Sequence, residues 1–277
     1  MKRVVTVLTC VAVAIAFTAA ATAAPGNSEH SQAGGKAVSI PDHAKEVAPG
    51  VYYLGTAEDH GRTVEGYMFV RRYHHKPAHD RGGGGNGGGD TGSSSCYAFL
   101  GKDAKWRTAE PWVVNPANDE GLDGPFVIEN LEGSIAKWES NASADILGTG
   151  TTTTDPLSAD TGSTDGQNEV YFGSVESDGA IAVTIVWGVF RGPPSSRELV
   201  EWDQVYDQAD YDWSSTGAGN QMDFENINTH ELGHTVGMDH PEDTCTEETM
   251  YAYATEGETK KRSLESGDTT GVAELYS

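Results

Sequence analysis

Residues 229–240, THELGHTVGMDH, constrain this chain more than any other stretch. They fit H-E-x-x-H-x-x-G-x-x-H at His230, Glu231, His234, Gly237 and His240. Residues four apart share one face of a helix, so His230 and His234 can turn their imidazoles toward a common ion. Glu231 then lies beside that ion without ligating it. Gly237 suits the left-handed backbone that ends a helix. Beyond it the chain can return with His240 as third ligand, Asp239 being the competitor for that place. Three histidines leave one position of Zn²⁺ open, as a catalytic site requires and a closed structural site does not. The motif implies hydrolysis at one zinc ion, with Glu231 as general base and acid.

The N-terminus bears on where such chemistry would occur. Lys2 and Arg3 precede an apolar run that reaches Ala20, and Ala21-Thr22-Ala23 supplies small residues at a cleavage site. Residues 1–23 therefore read as a signal peptide of a secreted, extracellular protein. No later stretch is apolar and long enough for the ~17–25 residues of a membrane span. Export exposes thiols to oxidation, so Cys96 and Cys245, the two cysteines beyond the signal, are expected to form a disulfide. The formal charge of −24, from 42 acidic and 18 basic residues, argues against a nucleic-acid partner, which needs a basic patch. Scattered acidic residues of this kind give a strongly hydrated surface suited to high salt.

Residues 24–80 read as an N-terminal extension or propeptide. Two β-like runs, 51–54 and 64–70, are separated by Gly61 and would pair as a hairpin that must dock elsewhere to be stable. The glycine- and serine-rich residues 81–95 are a linker by composition. His74, His75 and His79 beside it read as solvated side chains, not as a second metal site.

Residues 96–277 contain the main domain. A strand is expected near Trp112, and a helix over residues 125–140 from the spacing of Val127, Ile128, Leu131, Ile135 and Trp138. A short strand is possible at 144–147, followed by a loop over 148–168. Three further strands are expected at 169–175, 180–187 and 199–206. Asp223 would cap the helix carrying the motif, and Ser266 or Asp268 would cap a last helix. This order is that of an α+β fold. Asp155, Asp160 and Asp165 could offer oxygen ligands to Ca²⁺, without EF-hand spacing.

HELGHTVGMDH followed by Met250 in TMYAY, and the closing LESGDTTGVAELYS, resemble the matrixins within the metzincin clan. The resemblance runs from about Trp106 to Ser277. It implies a twisted, mostly parallel five-stranded sheet with an active-site helix and a C-terminal helix. It further implies that strand 180–187 is an antiparallel edge along a cleft, where an extended peptide or protein substrate would pair. Met250 would form an apolar floor under the zinc, and a monomeric zinc endopeptidase is the implied function. Two features depart from the family. No histidine stands between His79 and His230 to hold a second, structural zinc, and SSSCYAFLG lacks the family's zinc-ligating propeptide cysteine pattern. A secreted zinc-binding module without catalysis is the competing reading, which the intact Glu231 disfavours.

Overall fold

A two-residue turn organises the N-terminal part of the chain. His60 and Gly61 both take positive φ, 47° and 79°, as a tight hairpin turn of right-handed twist requires. In the computed structural model this turn joins β2 (Val51–Asp59) to β3 (Arg62–Tyr73), and β1 (Lys45–Ala48) pairs on the outside. The described residues are 34–73 and 95–277. The expected signal peptide 1–23, residues 81–94 of the expected linker, and His74, His75 and His79 lie outside them.

The chain continues through β4 (Trp112–Asn115), α1 (Gly124–Ala142), β5 (Gly150–Thr152), β6 (Glu169–Gly173), β7 (Ala180–Val189) and β8 (Glu198–Asp207). Then come α2 (Phe224–Thr235), β9 (Tyr253–Ala254) and α3 (Ser266–Leu275). The apolar stripe of α1 is buried at Val127, Leu131, Ile135 and Trp138, as its spacing predicts. Trp138 donates its indole N–H to the Thr229 carbonyl at 2.9 Å and so ties α1 to α2.

The strands form a nine-stranded sheet in the order β1-β2-β3-β7-β8-β6-β4-β5, with β9 alongside β3. From β8 through β6 and β4 to β5 the pairing is parallel, while β7 runs antiparallel to β8. Nine strands thus stand where five mostly parallel ones were expected, and the β1–β2, β2–β3, β3–β7 and β7–β8 pairings are antiparallel. β7 is antiparallel as expected but is not an edge, because β3 pairs along it from Ala180↔Arg72 to Gly188↔Glu65. An apolar strand with one unpaired side is a strong template for another strand, and here the chain supplies that strand itself.

A second difference lies after α1. Ile146 and Leu147 are buried, yet they form no strand. The Glu139 carboxylate accepts both of their N–H groups at 2.8 Å, which removes their need for a ladder. The strand falls instead at β5, within the expected loop. There Gly150 leaves room for the Trp112 ring, which a Cβ would approach to 2.3 Å. Among the described residues no helix is long and apolar enough to cross a membrane.

Candidate active site

The Asp223 side chain accepts the Asn226 N–H at 2.9 Å and starts α2. Phe224, Ile227, Leu232 and Val236 are buried along it, as their pattern predicts. The helix ends at Thr235, and Gly237 follows with φ of 103°. That left-handed turn sends the chain back so that His240 faces the helix it has just left.

His230, His234 and His240 come together as their spacing predicts. Nε2 of His240 lies 3.1 Å from Nε2 of His234 and 3.3 Å from Nε2 of His230. Tetrahedral bonds of ~2.0–2.1 Å to one zinc would separate ligand atoms by about 3.3 Å. Nδ1 of His230 donates to the Thr249 carbonyl at 2.6 Å, and Nδ1 of His234 to the Met238 carbonyl at 2.9 Å. These bonds fix tautomers that leave Nε2 as a lone-pair donor. Burial holds all three imidazoles neutral, His234 down to about 3 and the other two well below the usual histidine range. Converging lone pairs on neutral rings are a poor arrangement for anything except a cation, so the residues present fit Zn²⁺. Asp239 does not belong to this ligand set.

Glu231 is fully buried next to the ligands, and burial pushes its carboxyl up to about 7. The Thr184 hydroxyl on β7 donates to its Oε2 at 2.6 Å, while Oε1 has no partner. A carboxyl poised near neutral pH with one oxygen free can accept and return a proton. Thr184 was not singled out from sequence, although it is the one hydroxyl in the otherwise apolar Ala180–Val189.

Below the histidines, Met250 Sδ lies where a Cβ on Gly233 would come within 2.1 Å. This places the methionine directly under α2. Asp268 holds the Met250 turn from α3, accepting the N–H groups of Thr249 at 2.7 Å and Met250 at 3.2 Å. The same side chain accepts from Glu265, which is the cap in place of Ser266 or Asp268. Cys96 and Cys245 are bonded, with Cα atoms 5.7 Å apart. Nearby, Ala98–Phe99 pairs with Met238–Asp239, so both contacts brace the return that carries His240.

Residues 163–277 match the matrixin family model. This segment is matrixin-like. The match takes in β6 to α3, including the histidines, the Met250 turn and the last helix, and it stops short of the hairpin. No curated protein matches the chain. Matrixins are zinc metalloproteases, and the three-histidine cluster fits that metal.

The matrixin-like site is capped by the hairpin, a contact that sequence reasoning did not anticipate. Phe69 on β3 stacks on His234 with centroids 4.1 Å apart, and it meets His240 edge-on at 6.1 Å. Arg71 is 1 % exposed, with Nη1 2.9 Å from His230 Nε2. Nη1 also lies 2.6 Å from Nδ1, but that nitrogen spends its proton on Thr249, so Nε2 is the acceptor. The same Nη1 donates to the Tyr251 carbonyl. The sequence signal available was the paired Arg71-Arg72 ending an apolar run: Arg72 points outward to the Asp178 carbonyl, and Arg71 points inward.

A second cluster brings Asp160, Glu201 and Asp203 within 4.8 Å of one another. Asp160 belongs to the loop singled out for calcium, whereas Asp155 and Asp165 are not part of the cluster. Glu201 and Asp203, from the strand β8, complete it. Such an all-oxygen set suits a hard cation such as Ca²⁺ better than zinc.

Proposed function

We propose that the chain is a secreted zinc-dependent endopeptidase, acting on peptide or protein substrates as a monomer. The observation that carries this reading is the convergence of three neutral histidines on one point, two of them oriented by backbone carbonyls, with the free oxygen of Glu231 beside it. A zinc ion at an open three-histidine site supplies Lewis acidity, polarising a carbonyl and acidifying water. His230, His234 and His240 would hold that ion, and Thr249 and Met238 keep the first two rings turned toward it. Glu231 takes the proton from the attacking water and delivers it to the leaving amine, with Thr184 fixing its carboxylate. A peptide presented as an extended strand suits the groove, since a strand of the chain's own already pairs along β7 there.

The test is hydrolysis of a denatured protein, with and without a chelator, by the zinc-loaded chain and by Glu231→Gln. Glu231→Gln is expected to keep its zinc and to lose activity by ~10²–10⁴-fold, the range of a general acid–base group. Hydrolysis by Glu231→Gln equal to a measurable hydrolysis by its parent, or indifference of that hydrolysis to the chelator, overturns the reading. Tight zinc binding without hydrolysis, in the wild type and in Arg71→Gln alike, would favour the non-catalytic module.

A further inference from the structure

We infer that residues 62–73 are an internal occupant of the substrate groove, with Arg71 as the plug that holds the site latent. The groove lies between β7 on one side and the segment after Met250 on the other. β3 fills it, pairing antiparallel with β7 at eight positions and parallel with β9 at Tyr253↔Arg72 and Ala254↔Tyr73. A strand held from both sides against the zinc ligands sits where an added peptide would sit. With it in place, His230, Glu231 and His234 are completely shielded from solvent. No substrate carbonyl reaches Glu231 while β3 stays.

The fit is mutual. The Trp187 ring on β7 lies where a Cβ on Gly66 would come within 2.7 Å, so the hairpin strand is shaped to this partner. Phe69 closes over His234. Arg71 is different, because it gains little stability where it is. Its Nε and Nη2 are buried without partners, and an unsatisfied buried donor is destabilising, the more so when charged. A residue serving stability alone would be better apolar at this position. What Arg71 does there is donate to the lone pair on His230 Nε2 that a metal ion needs. Its positive charge also acts on all three histidines. Arg71 and a divalent cation therefore compete, and the hairpin strand and a peptide compete for the same edge of β7. Both competitions end when β3 leaves.

Three measurements on the full chain test this, and the first two do not depend on the peptidase reading. The first is zinc affinity by competition with a chromogenic chelator, for wild type, Arg71→Ala and the neutral, polar but shorter Arg71→Gln. If about nine molecules in ten hold Arg71 on His230, removing it tightens apparent zinc binding about tenfold. The second is hydrogen exchange of residues 65–72, expected to be slow in the metal-free wild type and faster with saturating zinc or in the variants. The third is hydrolysis of a quenched peptide, expected to rise in both variants. Zinc affinity unchanged in a folded Arg71→Gln overturns the plug. Full hydrolysis by wild type while residues 65–72 stay protected overturns the groove assignment. A loss of hydrolysis at unchanged zinc affinity would make Arg71 an aid to catalysis and also overturn the inference. Tighter zinc binding and faster exchange with no hydrolysis in any form would remove the peptidase reading and leave the competition standing.

Discussion

Gly233 lies inside α2, where glycine costs about 1 kcal/mol relative to alanine. Helix propensity alone therefore predicts that Gly233→Ala stabilises the protein. Packing predicts the reverse. A Cβ at this position would come 2.1 Å from Met250 Sδ, 3.0 Å from Met250 Cε and 2.7 Å from Trp138 Cζ2. Contacts of this kind are normally about 3.5–4.0 Å, so the overlap with sulfur exceeds ~1 Å. Trp138 cannot yield, being fully buried and hydrogen-bonded to Thr229. Met250 has to move instead, together with the turn that Asp268 grips through Thr249 and Met250. Overpacking of a full methyl costs about 1–3 kcal/mol or more. Setting the propensity gain against the upper part of that range leaves a net loss of about 1–2 kcal/mol. At ~2–4 °C per kcal/mol for a domain of this size, Tm should fall by about 2–8 °C in a calorimetric scan. Zinc affinity should weaken in the same variant, because the Thr249 carbonyl that orients His230 belongs to the displaced turn. A Gly233→Ala protein with a Tm equal to or above that of wild type refutes the argument that Met250 is wedged against the helix.

The Cys96–Cys245 bond closes a separation of 149 residues. Chain entropy assigns such a loop about 3–5 kcal/mol, so a Cys96→Ser/Cys245→Ser variant should show a clearly lower urea midpoint; an unchanged midpoint removes that role. A pH prediction follows from the acidic cluster. Burial raises Glu201 from 4.5 to about 8 and Glu169 from 4.5 to about 7. Acids raised in the folded state contribute stability fully present below their unfolded pKa and lost as pH rises through the folded value. Chelated protein should therefore lose Tm as pH rises from about 4.5 to about 8, and Glu201→Gln should flatten that fall. Millimolar Ca²⁺ should restore Tm at the alkaline end if Asp160, Glu201 and Asp203 take a cation, and a scan that Ca²⁺ leaves unmoved rules that out.

Much of the site was legible from local rules. Helical spacing brought His230 and His234 onto one face, and Gly237 announced the turn that returns His240. Asp223 as cap and the Val127–Trp138 stripe followed from the same period, because within a helix sequence distance fixes spatial distance. Cysteine count and the expected export were enough to propose the Cys96–Cys245 pair. Features that join distant segments were not legible. Thr184 meets Glu231 across 47 positions, Asp268 meets the Met250 turn across 18, and Arg71 meets His230 across 159. No local period encodes such distances. Glu139 shows the converse, taking up the Ile146 and Leu147 amides and cancelling a strand that their apolar character suggested. The largest surprise was β3. Its β-like run of residues marked out a strand but carried no information about its partner, since backbone hydrogen bonds are alike along every strand edge. Only side-chain fit in three dimensions, Gly66 against Trp187 and Phe69 over His234, seats this strand on β7. Sequence alone thus singled out the three histidines that converge and the glutamate beside them; tertiary packing decided what covers them.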